Sequence, residues 1–331
     1  MPSVVVVGAS GYAGAIAARL LWRHPEFELV AITAREDAGR ALSEIYPHHR
    51  VPLLLEELDL DRAASADAAI VAYPHGTAAP VVAALLERDV RVVDLSADFR
   101  LRDVAAYERW YAPHPHPELI ERAVYGLTEY YRERIAGAAL VACPGCFPTA
   151  AILALAPLAA DGLIADVVID AKTGVSGAGK RPTEATHFVA VAENVRPYGV
   201  AGHRHMPEID QELGALGAPV PIVFVPHLLP LDEGELLSCY VTPTRPLSQD
   251  ALEELYRGRY DEEPFVELVD RPPGVRDVRE TNVCAINLHA DERTGKLFVF
   301  AALDNLWKGT SSQAVANLNL MFGLEEGMGL R

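Results

Sequence analysis

Val4-Val5-Val6-Val7-Gly8-Ala9-Ser10-Gly11-Tyr12-Ala13-Gly14 is a β-branched run that breaks at three glycines and opens into Ala15-Ile16-Ala17-Ala18-Arg19-Leu20-Leu21, a strong helix former. Strand, glycine turn and helix in this order make the first βα unit of a dinucleotide-binding sheet. The glycines let the backbone turn tightly and approach a pyrophosphate, whose charge then rests on the N–H groups at the helix start. The spacing is G-x-x-G-x-x-G rather than G-x-G-x-x-G, and an ordinary glycine-rich βα turn is the plain alternative.

Outward from this unit, short apolar runs at 29–33, 69–72, 91–95 and 139–142 alternate with helix-like stretches. Their hydrophobicity is continuous rather than alternating, as strands covered on both faces require, so the sequence predicts a Rossmann-type doubly wound parallel sheet. After about residue 165 the pattern changes. Runs at 167–170, 222–225, 236–241, 283–288 and 297–301 carry β-branched and aromatic residues, and helix signals thin out. This predicts a second, α+β domain on a mixed or antiparallel sheet. Apolar residues at helical spacing in 311–322 predict a closing helix.

The 331 residues are half hydrophobic, with 29 Lys+Arg against 46 Asp+Glu and a net charge of −17. That length suits two globular domains. The charge argues against non-specific binding to nucleic acid or an anionic membrane, and leaves a small anionic substrate open. The first residues carry no basic leader or cleavage pattern, and the apolar stretch 147–160 contains Pro148 and Pro157 and falls short of the ~20 residues a membrane span needs. The four cysteines at 143, 146, 239 and 284 are too few for a disulfide scaffold. A cytoplasmic protein is expected.

At the end of the second strand, where an NAD-binding chain places a carboxylate on the ribose diol, this one has Thr33-Ala34-Arg35. Arginine there suits a 2′-phosphate, so NADP is expected over NAD; Glu36 beside it and a solvated-loop role are the opposing considerations.

Cys143-Pro144-Gly145-Cys146-Phe147-Pro148-Thr149 precedes the apolar helix, with Pro148 where a first turn tolerates proline. Cys146 therefore falls at a helix N-terminus, where unpaired N–H groups and the helix dipole favour a thiolate nucleophile. An inert buried cysteine, a redox dithiol and half a zinc site are the other readings. Zinc lacks a second ligand pair at a usual spacing, so no metal is expected, and Cys239 and Cys284 read as core. Gly202-His203-Arg204-His205-Met206-Pro207-Glu208-Ile209 gathers two imidazoles, a guanidinium and a carboxylate, suited to acid/base work on an anionic substrate or, plainly, to a charged turn. Lys172 to Arg181 (KTGVSGAGKR) suits an oxyanion-binding loop but is not a P-loop, because Arg181 stands where Ser or Thr would.

Together these motifs resemble the N-acetyl-γ-glutamyl-phosphate reductase family nearly end to end. The segments that carry the resemblance are GASGYAG (8–14), LSEIYPH (42–48), Pro74-His75-Gly76, VDLSADFR (93–100), PGCFPT (144–149), GVSGAG (174–179), GHRHMPEI (202–209), PHLLP (226–230) and DNLWKG (304–309). The resemblance implies an NADP-binding Rossmann domain, 1–146 with 307–331, and a catalytic and oligomerisation domain, 147–306, like that of glyceraldehyde-3-phosphate dehydrogenase. It implies NADPH-dependent reduction of an acyl phosphate through a Cys146 thioester, with His205 as acid/base and His203 an adjacent candidate. Cofactor contacts are implied at Gly8, Ser10, Gly11, Tyr12, Ala13, Gly14, Thr33, Arg35, Pro74, His75, Gly76, Ser96, Gly177 and Asn305. Substrate contacts are implied at Arg100, Ser176, Lys180, Arg204 and Glu208, in a homodimer or homotetramer.

Three positions depart from the family pattern. Cys143 stands where Asn is usual, which raises a reversible Cys143–Cys146 disulfide as an expectation. Lys180-Arg181 inverts the usual order, and Asp232-Glu233-Gly234 places a carboxylate where an Arg is common. The competing readings are the same chemistry on a carrier-linked aminoadipyl phosphate of lysine biosynthesis, and a non-catalytic NADP-binding redox switch.

Overall fold

The computed structural model describes residues 1–200 and 202–330. Two compact units emerge, Met1–Gly145 with Thr310–Arg331, and Cys146–Gly309. The divisions fall at 145/146 and 309/310 rather than at 146/147 and 306/307. Cys146 goes with the second unit because it opens a helix that packs there, and Gly309 closes against it.

The first unit holds seven strands: β1 (Ser3–Val7), β2 (Glu28–Thr33), β3 (Leu55–Glu56), β4 (Ala68–Val71), β5 (Arg91–Asp94), β6 (Val124–Tyr125) and β7 (Leu140–Ala142). Their order is β3-β2-β1-β4-β5-β7-β6, every pairing parallel. The chain reverses direction across the sheet between β1 and β4, and in such sheets ligands bind beyond the carboxyl ends of the strands at that reversal. β4 is buried along its whole length and β1 over all but Ser3, so valine runs rather than alternation specify them. β3 and β6, two residues each, were not expected.

The glycine turn sits at the end of β1. Gly8 has φ +88°, and a Cβ there would lie 2.8 Å from the Ala72 carbonyl oxygen. A Cβ on Gly14 would lie 2.3 Å from the Gly8 carbonyl oxygen, so the helix Tyr12–Trp22 can approach β1 only because residue 14 has no side chain. Gly8 and Ala9 donate their N–H groups to the Thr33 carbonyl at 3.1 and 2.8 Å, which ties the turn to β2. The closing helix, Ser312–Met321, is buried on nearly all sides, polar residues included. Ser311 Oγ donates to the Ala13 carbonyl at 2.8 Å and Asn317 Nδ2 to the Gly126 carbonyl at 2.9 Å.

The second unit holds β8 (Ile164–Thr173), β9 (Arg196–Pro197), β10 (Ile222–Leu228), β11 (Glu235–Pro243), β12 (Val266–Leu268), β13 (Cys284–Asp291) and β14 (Lys296–Leu303), in the order β12-β13-β14-β11-β8-β10-β9. β8 pairs with β10, and β12 with β13, in parallel; the other pairings are antiparallel, so the sheet is mixed. The helix Cys146–Ala160 packs on this sheet and is buried along almost its whole length. Pro157 lies inside it and lacks the N–H that would reach the Leu153 carbonyl. Tyr260 Oη donates to that carbonyl at 2.7 Å, and Tyr256 Oη to the Ala154 carbonyl at 2.5 Å, both from the helix Gln249–Tyr260. Among the described residues no helix is long and apolar enough to cross a membrane.

Gly14→Ala is expected to cost about 1–3 kcal/mol through backbone overpacking, seen as a lower urea midpoint for the first unit. Gly11→Ala, whose Cβ would sit at an ordinary 3.7 Å from the Gly8 carbonyl oxygen, is the matched control and is expected to leave the midpoint within error.

Candidate active site

In the first unit the helix Tyr12–Trp22 starts at Gly11 with extended backbone, no side-chain cap and no acidic residue in its first turn. Its leading N–H groups have no acceptor within the helix and face an anion-compatible field. Tyr46 Oη donates to the Ser10 carbonyl at 2.9 Å, and the Tyr12 and Tyr46 rings meet edge-on at 6.3 Å. At the end of β2, Thr33 is buried and its hydroxyl makes no hydrogen bond. Arg35 is exposed, its guanidinium 4.6 Å over the Tyr73 ring, and the two line a hollow with Ala34, Glu57, Leu58 and Val81. Arg35, the residue expected at the 2′-phosphate, thus lines an open depression.

Beyond β4 and β5 the remaining first-unit candidates belong to one polar network. Ser96 Oγ donates to Asp94 at 2.6 Å, the Gly76 N–H donates to Asp98 at 2.7 Å, and the His75 Nδ1 accepts the Ala97 N–H at 2.9 Å. Pro74, His75 and Gly76 are exposed. Burial pushes the Asp94 carboxyl up to about 7 despite the Ser96 hydrogen bonds. Arg100 is buried, with Nε donating to the Cys143 carbonyl at 2.7 Å and a terminal nitrogen to the Leu95 carbonyl at 2.8 Å. A guanidinium so placed braces the backbone below the sheet's carboxyl edge, a role its sequence position did not reveal. The Cys143 thiol is buried and donates to the Thr310 carbonyl at 3.5 Å; among the described residues no two cysteines form a disulfide.

In the second unit Cys146 is the first residue of its helix and is partly exposed. Gly309 presses on it: a Cβ at 309 would stand 2.7 Å from Cys146 Cβ. The turn that delivers Gly309 is organised by Asp304, which is buried and accepts the N–H groups of Glu280, Leu306 and Trp307 at 2.9, 2.9 and 3.2 Å. Asn305, next in line, accepts the Gly234 N–H at 2.7 Å and donates to Ser176 Oγ at 3.0 Å. Ser176 lies in the short helical turn Val175–Ala178, and its N–H donates to the Asp232 carbonyl at 3.0 Å. Gly177, Lys180 and Arg181 are exposed. A Cβ on Gly177 would lie 3.8 Å from the Asn305 amide nitrogen, in ordinary contact.

The histidine segment comes next to the cysteine through Phe147. His203 and His205 both meet the Phe147 ring edge-on, at 5.7 and 5.9 Å, and each other at 5.0 Å. His203 is further enclosed by Tyr198 and Phe224, and its Nδ1 accepts the His205 N–H at 3.2 Å. Burial, reinforced by the Arg204 guanidinium, drives the His203 imidazolium down to about 4. Glu208 is buried in the first turn of the helix Met206–Leu216, while Arg204 is exposed.

Three contributors escaped the sequence reading. Glu235, at the start of β11, is fully buried, and burial pushes its carboxyl up to about 8; Tyr198 is raised by burial and by the charges of Cys146 and Glu235. Arg279 places its Nε 3.5 Å from Glu233 and pairs with Asp232, so a cation does reach the carboxylate at 233, from 46 positions further along the chain (279 − 233). Burial and Asp304 nonetheless push Glu233 up to about 7.

Comparison with known proteins then decides the family. A profile described as the semialdehyde dehydrogenase NAD-binding domain matches residues 3–138, and one described as the semialdehyde dehydrogenase dimerisation domain matches residues 146–305. A protein of Desulforudis audaxviator named N-acetyl-gamma-glutamyl-phosphate reductase is 49% identical over 100% of this chain and 98% of its own length. One of the same name from Moorella thermoacetica is 49% identical over 98% of this chain and 96% of its own. The chain belongs to the N-acetyl-gamma-glutamyl-phosphate reductase family of semialdehyde dehydrogenases. The fold agrees: an aspartate semialdehyde dehydrogenase of Vibrio cholerae superposes with a TM-score of 0.75 at 18% identity, over 97% of this chain and 98% of that one. An aspartate semialdehyde dehydrogenase of Candida albicans gives 0.68 at 15% identity, over 97% and 98%.

For this reductase-family site, His203 is expected to stay neutral through the physiological range. A 15N-resolved imidazole titration is expected to place its midpoint near pH 4, and Arg204→Ala is expected to move that midpoint upward by removing a repelling charge.

Proposed function

We propose that this chain reduces N-acetyl-γ-glutamyl phosphate to N-acetylglutamate 5-semialdehyde with release of phosphate, and that it takes NADPH rather than NADH. The observation that carries the reading is Cys146, partly exposed at the first position of a buried helix and set against both family histidines through Phe147. When bound, NADPH supplies the hydride. The first-unit residues fit such a group: Gly8 and Gly14 let the turn close tightly onto a helix start that has no side-chain cap, Thr33 has a buried hydroxyl without a hydrogen bond, and Arg35 lines the depression it shares with Tyr73.

The chain's own steps follow. Cys146 Sγ attacks the acyl carbon; the new C–S bond forms as the C–O bond to phosphate breaks, and phosphate leaves with that electron pair. N–H groups at the helix start hold the carbonyl oxygen while it is charged. After reduction the C–S bond breaks, its electron pair returns to sulfur, and the semialdehyde leaves. His205 is the acid/base for these oxygens, because His203 is too weakly basic to hold a proton near neutrality. Ser176, held by Asn305, and the exposed cations Lys180 and Arg204 are the proposed partners of the anionic substrate. The match of the second unit to a dimerisation domain supports a homodimer or larger assembly, and a cytoplasmic location is proposed with it.

The test runs the reaction backwards, with N-acetylglutamate semialdehyde, NADP⁺ and inorganic phosphate. Phosphate-dependent NADPH formation is expected; turnover only with a carrier-linked aminoadipate semialdehyde would move the substrate to the lysine branch. Cys146→Ser is expected to lose at least about 10³-fold in kcat while binding NADPH unchanged. Arg35→Ala is expected to weaken NADPH roughly ten-fold or more and NADH little, by the scale of a charged hydrogen bond; equal losses for both would remove the 2′-phosphate assignment.

A further inference from the structure

The Ser10–Gly11 peptide carries the chain from the glycine turn into the helix Tyr12–Trp22, and it is held at both ends. Its N–H, on Gly11, donates to the Gly8 carbonyl at 3.3 Å, and its C=O, on Ser10, accepts the Tyr46 hydroxyl at 2.9 Å. The first bond closes the turn on itself. The second comes from 36 positions along the chain. Glycine at 11 adds no restraint of its own: φ is −79°, a value any residue adopts, and a Cβ there would sit in ordinary contact, so the peptide has more orientations open to it than a side chain at 11 would allow.

Tyr46 is itself firmly supported. It follows the short helix Leu42–Ile45, and its N–H donates to the Leu42 carbonyl at 2.8 Å. The segment is tied down at its root, where the Leu42 N–H donates to the Leu53 carbonyl at 3.0 Å and the Leu55 N–H to the Arg40 carbonyl at 2.8 Å. Leu42 is fully buried, and His49, buried in the turn Pro47–His49 that follows, stacks on the Tyr46 ring with centroids 5.2 Å apart and planes 16° from parallel. The same ring meets Tyr12 edge-on at 6.3 Å. One side chain thus touches the residue before Gly11 through its hydroxyl and the residue after it through its ring. Burial, with smaller contributions from Tyr12 and Asp37, pushes the Tyr46 hydroxyl up to about 12, so it keeps the proton that it donates.

We propose that Tyr46 is a positioning residue for dinucleotide binding: it fixes the Ser10–Gly11 peptide, so that the N–H groups opening the helix from Tyr12 onward are already arranged for a diphosphate. Donors held in place before binding do not have to be ordered by the ligand, and that ordering is otherwise subtracted from affinity. The diphosphate is common to NADPH and NADH, so Tyr46 acts on both alike, in contrast to Arg35, whose proposed partner is the 2′-phosphate. No step of the chemistry proposed for Cys146 passes through it. The inference rests on the dinucleotide reading of the glycine turn given above.

The test is Tyr46→Phe in the full-length protein, which removes the hydroxyl and keeps both ring contacts. Dissociation constants for NADPH and NADH, read by quenching of protein fluorescence, are expected to rise by the same factor, about three- to ten-fold, the range of one hydrogen bond. The kcat at saturating NADPH is expected to stay unchanged. Adenosine 2′-monophosphate, which lacks the diphosphate, is expected to displace NADPH with an unaltered inhibition constant. If it weakens by the same factor as the dinucleotides, the first unit has loosened generally and the proposal is overturned, as it is by dissociation constants that do not move. Amide hydrogen exchange of the unliganded protein gives a readout that needs no dinucleotide: peptides covering 8–14 are expected to exchange faster in Tyr46→Phe, and those covering β4 and β5 at the same rate. Unchanged exchange at 8–14 would overturn the lock even if the chain bound neither dinucleotide. Arg35→Ala and Cys146→Ser report separately on the 2′-phosphate and the nucleophile, so the failure of either reading leaves the Tyr46 result standing.

Discussion

Much of the second unit hangs on the absence of one side chain, at Gly309. Its backbone lies where a Cβ would be 2.7 Å from Cys146 Cβ, so the turn from Asp304 to Gly309 can close over the start of the nucleophile helix only with glycine there. Asp304 holds that turn by taking three backbone N–H groups, which satisfy its buried carboxyl. Asn305 then reaches in two directions, to the Gly234 N–H and to Ser176. One turn therefore sets the sulfur, the Ser176 loop and the entry of β11 in a common frame.

The electrostatics of this unit are dominated by desolvation rather than by ion pairing. His203 is held neutral by burial among Phe147, Tyr198 and Phe224, while Glu233 and Glu235 are pushed towards their protonated forms. A substrate with a negative phosphate meets fewer opposing charges in such a site than the overall charge of −17 suggests. Lys180, Arg181 and Arg204 add exposed positive charge to this unit at little cost to the folded state.

What could be read in the sequence and what could not follow from the range of the interactions involved. β1, β4, β5 and β7 were legible because strands covered on both faces must be continuously apolar, β2 from its short apolar run, and the helix Cys146–Ala160 from its largely apolar run. β3 and β6 were not, since two residues carry no periodicity. The family motifs placed Cys146 in one segment and His203 and His205 in another, but not the contact of both imidazoles with Phe147 beside the cysteine. Glu235 lay one position before the strand expected from 236; the register with Thr173 and Leu303 brings it into β11, where it is buried. Arg279 lies too far along the chain for any local pattern to join it to Glu233.

The proline in the nucleophile helix has a consequence for how this chain can change over time. Pro157 deprives the Leu153 carbonyl of its helical donor, and Tyr260 restores one from a helix about a hundred positions away (260 − 153 = 107). The two residues are coupled in their effect on stability. While the proline remains, loss of the Tyr260 hydroxyl strands a buried acceptor; once residue 157 regains an N–H, the same loss costs far less. A lineage that discards the proline first frees position 260 to drift, whereas the opposite order passes through a weakened intermediate. The freedom of position 260 to change is therefore set by a residue on a different helix.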